Sequence, residues 1–154
     1  MNIRTRSSAP RSGLSLAALF AAALLTGCED GPDGISRDTQ PFDTIAQGAT
    51  VTMRGSEPSW NLVVEPRGEE LAARFGGAED TSGQAFRVVR FSGNNGIGFS
   101  GELDGNSVQV AVTPGECTDT VSERVYPYTA TLALGDQTLY GCAFTDAEPF
   151  ADPQ

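Results

Sequence analysis

Thr129-Ala130-Thr131-Leu132-Ala133-Leu134-Gly135-Asp136-Gln137 is the stretch that fixes the fold class. In an extended strand Ala130, Leu132 and Leu134 fall on one side, and Thr129, Thr131 and Ala133 on the other. Gly135-Asp136 then supplies the two residues of a tight hairpin. The same grammar recurs upstream. Ser107 to Val112 places Val108, Val110 and Val112 in one phase, directly after an Asp104-Gly105 turn. Trp60, Leu62 and Val64 share a face within Ser59–Glu65. Pro66-Arg67-Gly68 and Gly93-Asn94-Asn95-Gly96 punctuate two further boundaries.

This pattern predicts eight strands, near 50–55, 59–65, 70–75, 85–91, 96–103, 106–113, 126–134 and 137–143. Glu69–Phe75 competes as a helix on local propensity, but it is short and lies between strands. Short strands joined by tight turns close on themselves or fold as a sandwich. Closure leaves no sticky edge, so the expected fold is all-β, a small antiparallel up-and-down β-barrel of about eight strands. Its expected interior holds Trp60, Leu62, Leu71, Phe75, Ile97, Phe99, Val108, Val110, Leu132 and Leu139. Eight strands leave room for filling side chains or one small ligand, and the sequence leaves both open.

The chain begins differently. Arg4, Arg6 and Arg11 precede an apolar run from Leu14 to Leu25, the order of a secretory signal peptide. The run is about twelve residues, short of the roughly twenty that a spanning helix needs. Leu25-Thr26-Gly27-Cys28 resembles the bacterial lipobox. That resemblance implies removal of 1–27 and acylation of Cys28, and two or three acyl chains make a stable membrane anchor. With Glu29 rather than Asp after Cys28, it points to the outer membrane, facing the periplasm.

Removing 1–27 leaves 127 residues, enough for one domain. Three of the ten basic residues go with the leader, leaving seven against twenty acids, a net charge near −13. Phosphate binding needs a basic footprint, so no nucleic-acid partner is expected. Anionic headgroups would also repel the domain, which leaves the lipid to hold it. A cationic partner is electrostatically allowed; the plainer reading is that the acidity maintains solubility or reflects a saline habitat. Residues 28–48, rich in Asp, Gly, Pro, Ser and Thr, read as a lipidated flexible tether of which Phe42 and Ile45 touch the domain. The barrel is expected over 49–145, and 146–154 reads as a loose acidic tail.

Of three cysteines, Cys28 goes to lipid, and in an oxidising compartment the remaining Cys117 and Cys142 read as a disulfide. The chain has no His, and two thiolates alone make no zinc site. No EF-hand-type loop appears, and no metal or other cofactor is expected. Without His or Lys, the usual activated Ser and Cys nucleophiles are missing, so a non-catalytic protein is expected.

Two segments are candidates for binding. In Gly55-Ser56-Glu57-Pro58-Ser59-Trp60, Pro58 stiffens the link between the first two strands. Glu57 and Trp60 then stand at a barrel mouth, unless Trp60 merely plugs the barrel end. In the second segment, Asp119 and Ser122 suit local bonds to the loop backbone. There Tyr126 and Tyr128 either present a recognition surface or start a strand. Together, G-x-E-P-x-W and C-T-D-x-x-S-x-x-x-Y-P-Y followed by G-C-A resemble a family of uncharacterised bacterial cell-envelope lipoproteins. The likeness spans about Thr50–Phe144, with Val121 where many relatives have Met. It implies a compact β domain, supports the Cys117–Cys142 pairing and carries over no catalytic residue. A more distant architectural likeness is to membrane-bound inhibitors of c-type lysozyme, without their loop motif. The functional expectation is a membrane-anchored envelope lipoprotein that binds a protein or small apolar ligand. Lysozyme inhibition and a purely structural envelope role are the alternatives.

Overall fold

The computed structural model describes residues 40–78, 80 and 82–153; the expected leader, Cys28 and the first part of the expected tether lie outside the described residues. Eight strands run in chain order: β1 (Val51–Ser56), β2 (Ser59–Arg67), β3 (Glu70–Gly77), β4 (Gln84–Gly93), β5 (Gly96–Leu103), β6 (Asn106–Thr118), β7 (Val125–Leu134) and β8 (Gln137–Thr145). Each pairs antiparallel with the next, and β8 returns to β1 with Val51 opposite Thr145, closing the barrel. Closure gives every strand two partners, so no backbone edge is left exposed.

Alternation drives this arrangement. Along β7 the inward phase is Tyr128, Ala130, Leu132 and Leu134; along β6 it is Val108, Val110 and Val112. Asp104 and Gly105 both take positive φ (51° and 79°), as a primed two-residue hairpin demands. Glu69–Phe75 resolves as strand, despite its helical propensity. Leu71↔Val88 and Phe75↔Leu62 register against both neighbours, and the sheet context overrides the local preference.

Met53, Leu62, Phe99 and Leu132 meet in the middle of the barrel, each 2 % exposed or less. Side chains therefore fill the central layers. Leu71 and Phe75 are only partly buried, lying towards the two ends of β3. Val51, Met53, Val64, Ala73, Val88 and Val112 are among the core residues beyond the expected set.

Alternate turns of an up-and-down barrel lie at opposite ends. One end carries the β1–β2, β3–β4, β5–β6 and β7–β8 turns. The other carries the remaining turns and both chain termini of the barrel, and it is closed. Ile45, 3 % exposed, belongs to the core, with Phe42 and Ala49 packed against it. The Phe42 N–H donates to Gly93 O (2.8 Å) and Arg90 Nη2 to Ile45 O (2.6 Å). Residues 40–48, expected to be part of a flexible tether, are thus docked.

Residues 146–152 also depart from the expectation of a loose tail. The Asp146 N–H donates to Thr50 O, and Ala151 exchanges backbone hydrogen bonds with Val125 (3.0 and 2.8 Å). Phe150 lies 5.3 Å from Tyr126 and 5.1 Å, edge-on, from Phe144. Backbone hydrogen bonds and one aromatic together tie down this polar segment, which average composition could not reveal.

β6 changes register between Pro114 and Cys117. That irregularity brings Cys117 to Cys142 of β8, past the intervening β7, and the two form a disulfide with Cα atoms 5.5 Å apart.

Candidate functional site

The open end holds a depression of about 360 Å³. Phe75, Leu103 and Leu134 form its apolar floor, and Asp80, Gln84, Asp104 and Asn106 its rim. Each floor residue is the last inward-pointing side chain before a turn at this end. There the core stops, and none of the described residues covers it.

Acids dominate the four turns around this mouth. Glu57, Asp80, Asp104 and Asp136 each stand in or beside one turn, all exposed, with no basic residue among the described residues of those turns. Asp80 is held in place by its own loop: Oδ1 accepts from Ser82 Oγ (2.6 Å), Ser82 N (3.1 Å) and Gly83 N (3.2 Å). The Ser82 hydroxyl, followed by the Gly83 amide, lowers the carboxyl below its usual range. Asp80 thus stays ionised and serves poorly as a base. An apolar floor inside a ring of carboxylates suits a ligand with an apolar body and positive charge.

Trp60 belongs to this end but does not line the depression. It is 3 % exposed, and its Nε1 donates to Tyr140 O (3.2 Å). Gly55 and Gly141 make room for the indole: a Cβ at Gly55 would collide with Trp60 Nε1, and one at Gly141 with Arg54 O. Trp60 is core, the plug of the plainer reading. Glu57 is exposed at the tip of the β1–β2 turn.

The other candidates lie at the closed end. Asp119 organises the β6–β7 loop: Oδ1 accepts from Val121 N (2.9 Å) and Oδ2 from Ser122 Oγ (2.8 Å). The Val121 amide and then the Ser122 hydroxyl hold its carboxyl below the ordinary range. Tyr126 is wholly buried among Phe144 and Phe150, with the Arg124 guanidinium 4.5 Å above the Phe150 ring. Tyr128, 2 % exposed, donates its hydroxyl to the Glu148 carboxylate. Neither tyrosine offers a recognition surface. Both start a strand and are capped by the C-terminal segment. The five candidates therefore split between opposite ends and form no single site.

Burial, reinforced by Glu148, pushes the Tyr128 phenol up to about 12 from an ordinary 10. Between those values the unfolded chain has released this proton while the folded one still holds it. Stability thus falls as pH rises from 10 towards 12. Urea midpoints measured across that window should drop less steeply for Tyr128→Phe than for the parent; equal slopes would discount the buried phenol.

The sequence reading missed the floor residues, although their signal was present. They are inward-phase apolar residues next to turns of the same end. It also missed Arg90, which shares the inward phase of Phe86 and Val88. Its Nε and Nη1 are buried without a protein hydrogen-bond partner, and burial lowers its pKa from the ordinary value. Among the described residues, no group of three His, Cys, Asp or Glu side chains could hold a metal ion. Compared with known protein families, curated proteins and solved structures, the chain finds no match.

Proposed function

We propose that the chain is a lipid-anchored envelope lipoprotein whose barrel is a non-catalytic binding module, and that it engages a cationic, partly apolar partner at its open mouth. The observation that carries this reading is the asymmetry of the two ends. The chain enters through the sealed end, so a tether from Cys28 leaves the acid-ringed depression free to face away from the bilayer. Complementary charge would raise the association rate more than the affinity, while the floor supplies the apolar contact.

The test uses the mature chain from Cys28 and two probes, an amphipathic Lys/Leu peptide and a basic c-type lysozyme. An Asp80→Asn/Asp104→Asn pair should slow association several-fold and flatten its salt dependence. Leu134→Gln should speed dissociation about tenfold. Association unchanged in the Asp pair together with dissociation unchanged in Leu134→Gln would remove the mouth as the site. The acidic ring also favours the inhibitor reading, and an undiminished lysozyme rate at micromolar domain would end it. The anchor has a separate test: Cys28→Ser should leave an uncut precursor in cells, and normal processing would refute lipidation.

A further inference from the structure

We infer that the β4–β5 hairpin is a second contact with the lipid surface, resting on the lipoprotein reading above. Val89 and Phe91 point outward from β4, two residues apart and therefore side by side. They are 65 % and 56 % exposed. Phe91 lies over Gly98 of β5: a Cβ at Gly98 would fall inside its ring. The ring is thus held against the wall by a residue that yields it space. From Phe91 to Gly101 the hairpin carries no charge at all, in a chain whose net charge is −10.

The position of the tether names the occupant. Phe42 is bonded to Gly93 at the foot of this hairpin, and Arg90 holds Ile45 beside it. Eleven residues separate Cys28 from Gln40, a reach of about 40 Å at full extension. An acylated Cys28 therefore keeps this corner within that distance of the bilayer. Most acids of the closed end lie on other segments, Asp119 and Glu123 on the β6–β7 loop and Glu148 and Asp152 on the C-terminal segment. Beside the hairpin stand Asp43, next to Phe42, and Glu70, whose charge is paired with Arg87 of β4. The hairpin from Phe91 to Gly101 itself brings no carboxylate towards the headgroups. An apolar pair beside a lipid anchor supplies the second signal that stable membrane attachment uses.

The test couples the mature chain, its Cys117–Cys142 bridge intact, through the Cys28 thiol to maleimide-headgroup lipid in phosphatidylcholine vesicles. Coupling by chemistry makes the result independent of whether cells acylate Cys28, which the Cys28→Ser precursor test decides. Phe91→Trp reports on the hairpin, and Tyr140→Trp on the opposite wall, where Tyr140 is 71 % exposed. Circular dichroism checks that both variants fold. Brominated lipid should quench the Phe91→Trp emission at least twofold more than the Tyr140→Trp emission, with a blue shift. Equal quenching at the two positions would overturn the inference. A blue shift of Phe91→Trp without vesicles, rising with protein concentration, would assign the patch to a second copy and overturn it too.

Discussion

Trp60→Ala should lower the unfolding free energy of the disulfide-intact domain by about 3–5 kcal/mol, the usual cost of truncating a buried aromatic to alanine. The indole is almost fully enclosed and lies across Gly55 and Gly141, two positions with no side chain to move into the space. The hole cannot be refilled locally, so the upper part of the range is expected. The Nε1 donor to Tyr140 O goes as well, leaving that carbonyl short of one partner. Urea titration followed by circular dichroism measures the loss, since the only tryptophan is removed. A change below about 1 kcal/mol would place Trp60 at a surface, against its burial. The same variant cannot be used to locate a ligand: a lost partner would report a damaged core. Leu134→Gln and the Asp80/Asp104 pair are the informative changes for binding.

Replacing Cys117 and Cys142 together by alanine should cost about 3–4 kcal/mol, the chain-entropy value for a bridge with a separation of 25 residues. The loss should also be local before it is global. Beyond the register change at Pro114, β6 meets β7 only through Cys117↔Tyr126 and Thr118↔Val125. Without the bridge to β8, that extension rests on two residue pairs, and the Asp119 loop on its own hydrogen bonds and the contacts of Arg124 and Val125 with the C-terminal segment. Hydrogen exchange should accelerate at residues 116–124 while the amides of β5 and of β6 before Pro114 stay protected. Unchanged exchange there, with a midpoint shift under about 0.5 kcal/mol, would show that the bridge constrains nothing the sheet does not already hold.

The fold was written plainly in the sequence, and the site was not, for a physical reason. A strand that buries one face must alternate, and a tight hairpin must use residues tolerant of positive φ. Val108–Val112 and Asp104-Gly105 therefore advertise themselves. The same logic placed the disulfide, since two cysteines remained once Cys28 was set aside. A binding surface has no such period. Trp60, Tyr126 and Tyr128 drew attention as conspicuous residues, yet large aromatics are most often conspicuous because they fill space. Phe75, Leu103 and Leu134 are ordinary core letters whose significance lies in what fails to cover them. Arg90 needed the strand phase to be carried two residues past Val88. Ile45 and Phe42 could be picked out as the apolar residues of the tether, but the docking of Phe150 was invisible to composition, because a single apolar side chain in a polar segment barely moves an average.

The pairing of β1 with β8 has a consequence for how the molecule is made. Seven of the eight strand pairings join neighbours in the chain and can zip from their turns outward. The eighth, Val51 with Thr145, must wait for almost the whole domain to exist. Non-local pairing of this kind is the slow step of barrel folding. Until it happens β1 and β8 each expose an unpaired edge, ready to pair with another chain. The Asp146–Thr50 bond and the Ile45 plug both depend on that seam. A chain truncated before Gln137 would therefore lose more than a hairpin arm. It would remain an open sheet with its lower end unsealed, and its expected fate is aggregation rather than a smaller barrel.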